Sequence, residues 1–133
     1  MKDLELMEAE IKRVFDSQMD HKWILRKSTS RERIEKLKKL FQVILKHREE
    51  IIRAVYSDFK KPAEEALLTE IFSVTSEIKH IIKHLPGWMK GKRIHTPLSH
   101  FGAKCSIRYE PKGVSLIISP WNFPFQLAMS PLV

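Results

Sequence analysis

The sequence predicts an α/β fold: N-terminal amphipathic helices, then a strand pair and the first strand, turn and helix of a parallel sheet that the chain does not complete. Three observations carry this expectation. Apolar residues recur at helical spacing through the front of the chain, a compact β-branched run stands at residues 114–118, and a turn rich in proline and aromatic residues follows that run directly. Spacings of three and four mark a helix that buries one face, whereas a short apolar run without alternation suits a strand covered on both faces.

The first helix is expected over residues 4–23, where Leu4, Met7, Ile11, Val14 and Phe15 share one face. A polar break follows, and Thr29 with Glu32 three residues later has the form of a capping box that starts a second helix. Its stripe (Ile34, Leu37, Leu40, Phe41, Ile44, Leu45, Ile51, Ile52, Val55 and Phe59) places its end near Asp58. Pro62 suits the first turn of a third helix, with Glu64 and Glu65 complementing the helix N-terminus. That helix is expected to run to Leu85 and stop at Pro86-Gly87. Residues 88–104 lose periodicity and carry Lys90, Lys92, Arg93, His95, His100 and Lys104, which reads as a basic connector. Residues 106–110 alternate like a half-exposed strand, Pro111-Lys112-Gly113 supply turn chemistry, and Val114-Ser115-Leu116-Ile117-Ile118 is the second strand. A strand made for burial on both faces invites association when its partners are missing, so removing residues 106–133 is expected to leave a more soluble helical piece.

Composition excludes several classes. With 43% hydrophobic and 30% charged residues, the chain of 133 residues is globular in character and not disordered. One cysteine, Cys105, rules out an internal disulfide framework and fits a reducing compartment, hence a cytoplasmic location. The acidic residues near Met1 do not resemble a secretion signal. Residues 114–133 approach the length of a membrane span, but Pro120, Pro124, Pro131, Asn122 and Gln126 interrupt them, so the stretch reads as buried protein. The net charge of +8 admits an anionic partner without naming one. The basic connector carries no recognised binding motif and is read as a solvated loop, with no nucleic-acid site. Glu77, His80 and His84 share a helix face but lack the further ligands a metal site needs, and no metal is expected.

The junction after residue 118 is the informative feature. Ligands of open α/β sheets collect at the carboxyl ends of strands, where helix N-termini offer free N–H groups. Trp121 and Phe123 at such a place are ordinary core fillers in most proteins, whereas an amide such as Asn122 can donate to charge that develops during a reaction.

The segments Glu110-Pro111-Lys112-Gly113-Val114 and Ile117-Ile118-Ser119-Pro120-Trp121-Asn122-Phe123-Pro124-Phe125 resemble a long and specific motif of the aldehyde dehydrogenase superfamily. Upstream, residues 33–40, the helix end Asp58-Phe59-Lys60-Lys61 and the helix end near Leu85-Pro86-Gly87-Trp88 are similar to helices of its class 3, fatty-aldehyde type, so the likeness covers nearly the whole chain from Arg26. The resemblance implies an N-terminal fragment of such an enzyme. Residues 1–105 would be its helical region and connector, and residues 106–133 the start of an incomplete Rossmann-like NAD(P)-binding domain. It implies oxidation of an aldehyde to a carboxylic acid with NAD or NADP, in a homodimer. By position, Asn122 matches the catalytic amide of the oxyanion hole. Ser119, Pro120, Trp121 and Asn122 match the turn against the cofactor's nicotinamide ribose, and Phe123 matches a residue lining the aldehyde tunnel. The family's nucleophilic cysteine and general base match nothing here, and Cys105 precedes the motif, so the chain alone is expected to be inactive. The alternatives are a basic helical module binding nucleic acid or an acidic protein, and a stand-alone interaction domain using its helices.

Overall fold

The computed structural model describes residues 2–133 and places six α-helices in chain order. They are α1 (Lys2–Arg26), α2 (Ser30–Lys46), α3 (Arg48–Phe59), α4 (Ala63–Ala66), α5 (Ser73–Trp88) and α6 (Pro124–Leu132). A π-helical turn, Leu67–Phe72, joins α4 to α5 without a break.

The capping box forms as its residues require. The Glu32 carboxylate accepts the Thr29 N–H at 2.7 Å, and the Thr29 hydroxyl accepts the Glu32 N–H at 3.3 Å. Arg33 then ties α2 to the end of α1, donating to the Ser28 hydroxyl at 2.9 Å and the Leu25 carbonyl at 3.2 Å.

Three boundaries differ from the sequence expectation. The second helix is two, because His47 adopts φ −97° and ψ 13° between α2 and α3, and no glycine or proline marks that break. The third helix does not stop at Pro86-Gly87 but carries both to Trp88, since a proline in a last turn removes only one bond near the helix end. Its π turn was not foreseen either. That turn inserts a residue into the helical phase, so the neighbours Glu70 and Ile71 are both buried.

The strands differ more. Only Ser106–Ile107 (β2) of the expected strand over 106–110 is paired, and its antiparallel partner is Lys92–Arg93 (β1) from within the connector. Residues 114–118 belong to no ladder among the described residues, and Leu116 and Ile118 are 85% and 83% exposed. A strand is assigned by its neighbours, and among the described residues none pairs with this run.

The core lies where α2, α5 and α6 meet. Ile44, Ile71, Val74 and Ile78 are buried at its centre, with Leu37, Leu40, Phe41, Ile51, Ile52 and Ile82 packed around them. Phe125, Met129 and Val133 of the C-terminal segment close the same cluster. Removing residues 106–133 would therefore uncover the core, and the expected gain in solubility does not follow. The apolar face of α1 stays exposed, including Leu4, Met7, Ile11 and Phe15. No helix among the described residues is long and apolar enough to cross a membrane.

Candidate functional site

Residues 119–123 form the turn that leads into α6. Pro124 occupies the first position of that helix, where a missing N–H costs nothing, and Phe123 at φ −138° and ψ 67° is the cap residue before it. Phe123 has no capping side chain to offer, so the free N–H groups of the first turn need other acceptors. The Leu127 N–H closes the helix onto the Phe123 carbonyl at 2.9 Å, and the Ser119 hydroxyl reaches the Pro124 carbonyl at 3.4 Å.

A buried ion pair holds the turn from below. Lys61 donates to Glu70 at 2.5 Å, and the two side chains are 4% and 0% exposed. Lys61 also donates to the backbone carbonyl of Asn122 at 3.1 Å, and its ammonium lies 4.0 Å from the centre of the Phe123 ring. The second carboxylate oxygen of Glu70 accepts the N–H of Gln126 at 2.9 Å.

Local structure explains how two charged groups come to be inside. Lys60 ends α3 in the left-handed conformation with φ 61°, which reverses the chain and leaves Lys61 directed inward just before Pro62. Glu70 sits in the π turn, whose altered phase puts it on the core face beside Ile71. The helical unit and the C-terminal turn are thus joined by charge-assisted hydrogen bonds in a dry place.

Above this support the turn is open. Trp121 is 89% exposed, and Asn122 is exposed with its side-chain amide in no hydrogen bond among the described residues. The backbone groups of Ser119, Pro120 and Trp121 are likewise unengaged among the described residues. Phe123 is half-buried. The five residues singled out in the sequence are therefore contiguous on one turn, with the backbone of Asn122 fixed and its side chain free. Sequence reasoning missed Lys61 and Glu70. The available signal was an acidic residue four positions after Ala66 and four before Val74, on a stripe that is otherwise apolar.

The other singled-out residues lie elsewhere in the chain's contacts. Cys105 stands just before β2, and its carbonyl accepts the Ile94 N–H at 3.2 Å. The His84 ring stacks on Trp88 with centroids 5.6 Å apart, and the His80 ring lies tilted against His84 at 4.2 Å. Among the described residues, no group of three His, Cys, Asp or Glu side chains is placed to hold a metal ion. An open cleft of about 850 Å³ between α1, α2 and residues 111–117 is lined by Trp23, Leu37, Val114 and Ile117 together with Lys22, Arg26 and Lys112. Arg26 at its edge pairs with Glu110.

Comparison with known proteins agrees with this layout. The aldehyde dehydrogenase family profile matches residues 5–133. Aldehyde dehydrogenase family 3 comG of Dictyostelium discoideum is 33% identical over 98% of this chain and 26% of its own length. The fatty aldehyde dehydrogenase HFD1 of Saccharomyces cerevisiae is 39% identical over 72% of this chain and 18% of its own length. A solved structure described as the substrate-bound state of Staphylococcus aureus AldH superposes with a TM-score of 0.87 at 38% identity, covering 92% of this chain and 27% of that one. The chain spans about a quarter of the length of the curated relatives it matches most extensively. Its helical unit and two-stranded antiparallel sheet correspond to the N-terminal part of their fold. With a family profile over residues 5–133 and a structural match over 92% of the chain at 38% identity, the chain belongs to the aldehyde dehydrogenase family.

Proposed function

We propose that this chain supplies the oxyanion donor, and part of the cofactor and substrate walls, to an enzyme that oxidises an aldehyde to a carboxylic acid with NAD(P)+. One observation carries the reading: Asn122 has an anchored carbonyl and an exposed, unengaged side-chain amide at the start of α6. A turn amide with a purely structural role would be consumed by the turn. Here Nδ2 is free to donate to an aldehyde oxygen as charge develops on it, and a donor already in place stabilises that charge without reorganising.

The residues present also fit the cofactor. The unengaged backbone groups of Ser119, Pro120 and Trp121 beside a helix N-terminus suit a polar ligand edge, and Trp121 offers an exposed ring against which a flat group can lie. When bound, NAD(P)+ accepts the hydride from the aldehyde carbon. In the same reading Phe123 lines the path of the aldehyde. The similarity to the fatty aldehyde dehydrogenase HFD1 supports a fatty aldehyde as substrate. Residues 106–133 begin the NAD(P)-binding domain, and the complete enzyme is a cytoplasmic homodimer.

The test uses a complete enzyme in which this chain is continued by the remainder of an aldehyde dehydrogenase. Asn122→Ala should lower kcat by about 10²–10³-fold, the scale of one oxyanion donor, with little change in KM. Asn122→Asp should be at least as damaging, because a carboxylate cannot donate and repels the developing charge. Phe123→Tyr should shift the preference among aldehydes and spare the chemical step. Full kcat in Asn122→Ala would contradict the reading.

A further inference from the structure

We infer that Lys61 and Glu70 are positioning residues for the reaction, holding the backbone on both sides of the Asn122 turn so that its amide meets the aldehyde oxygen in a fixed place. The inference rests on the reading of Asn122 as oxyanion donor.

The geometry is specific. Lys61 holds the carbonyl of residue 122 at 3.1 Å, and Glu70 holds the N–H of residue 126 at 2.9 Å, while the pair is closed on itself at 2.5 Å. The two contacts bracket the first turn of α6, so the path of the chain through Asn122 is set by side chains of the helical unit. Desolvating two charges is costly, and apolar residues of similar volume stabilise a fold as well or better. Stability alone therefore does not account for a charged pair here. What apolar residues could not do is satisfy one carbonyl and one N–H of a neighbouring turn at the same time. A catalytic donor needs such support, because small displacements of a reacting group cost large factors in rate.

The first readout is amide hydrogen exchange of the unmodified chain. N–H groups in the first turn of a helix ordinarily lack a partner and exchange freely. Phe125 is the internal reference, since the structure shows no acceptor for its N–H among the described residues. Gln126 should exchange at least about tenfold more slowly than Phe125 after correction for intrinsic rates. Equal rates would overturn the inference, with no variant required.

The second readout is the exchanged pair, Lys61→Glu with Glu70→Lys. An ion pair that matters only for packing survives the exchange, whereas a carboxylate cannot donate to the Asn122 carbonyl and an ammonium cannot accept from Gln126. Protection of Gln126 should fall to the level of Phe125 while the helical circular dichroism is kept. In the complete enzyme kcat should fall at least about tenfold with aldehyde KM within about twofold. Lys61→Arg, which keeps a donor, should restore most of kcat. An exchanged pair that retains both Gln126 protection and kcat would overturn the inference. The two readings separate cleanly. Unprotected Gln126 with a damaging Asn122→Ala removes the positioning role alone, and protected Gln126 with a harmless Asn122→Ala removes the oxyanion reading and the positioning role with it.

Discussion

Helix α5 and the run at residues 114–118 are both rich in β-branched residues, yet they end in opposite environments. Val74 and Ile78 are completely buried, while Leu116 and Ile118 stand almost fully in solvent. The difference lies in what each element needs from outside itself. A helix satisfies its backbone internally and requires one apolar neighbour, which α2 and α6 provide to α5. A two-sided strand requires neighbours along both edges and layers on both faces, and the described residues supply neither.

Removal of α6 has the largest expected effect. Deleting residues 124–133 takes Phe125, Met129 and Val133 from the core cluster and leaves Lys61 and Glu70 without the turn they support. The truncated chain should lose cooperative thermal unfolding and bind hydrophobic dyes. A sharp transition near that of the intact chain would show that α6 is not part of the core.

Single truncations sharpen the contrast. Ile78→Ala should cost about 2–5 kcal/mol, the range for emptying a buried aliphatic site. Ile118→Ala should stay within about 0.5 kcal/mol, as exposed positions do. Urea midpoints of the two variants measure this directly, and comparable losses would mean that residues 114–118 are buried after all. A smaller effect is expected from Leu116→Ser combined with Ile118→Ser, which should raise the concentration at which the chain stays monomeric without moving its unfolding midpoint, because both side chains are apolar surface rather than core.

The capping box at Thr29 and Glu32, the stripe through Ile44 and a helix after the turn at residues 119–123 were legible because each depends on residues within a turn or two of one another. The break at His47 was not, since no residue type there forbids a helix and only the His47 backbone, at φ −97° and ψ 13°, marks it. Helix α5 passes through Pro86-Gly87 for a related reason, as a proline in a last turn forfeits only one bond. The turn at residues 119–123 was visible as a motif. Its support was not, because Lys61 and Glu70 lie 61 and 56 positions from the backbone groups they hold, and a π turn was needed to aim one of them.

The smallest expected effect concerns pH. The Thr29 N–H and hydroxyl, which donate to the Glu32 carboxylate, hold its pKa below the usual value of 4.5. A carboxyl depressed in the folded state stabilises it above the unfolded pKa, and that contribution is lost as pH falls through the lower, folded value. The penalty of Glu32→Ala should therefore be complete at neutral pH and fade on acidification below about pH 4.5. A penalty independent of pH in thermal melts would mean that the box acts without its charge.

In the proposed mechanism the helical unit holds the turn and the turn holds the donor. A double-mutant cycle on kcat in the complete enzyme addresses it most directly, combining Asn122→Ala with the exchanged pair Lys61→Glu and Glu70→Lys. If the pair acts through Asn122, the exchange should lower kcat about tenfold or more in the enzyme that keeps Asn122 and should have almost no further effect once the amide is gone. Equal losses from the exchange in both backgrounds would show that the pair and the amide act independently, and would contradict the account.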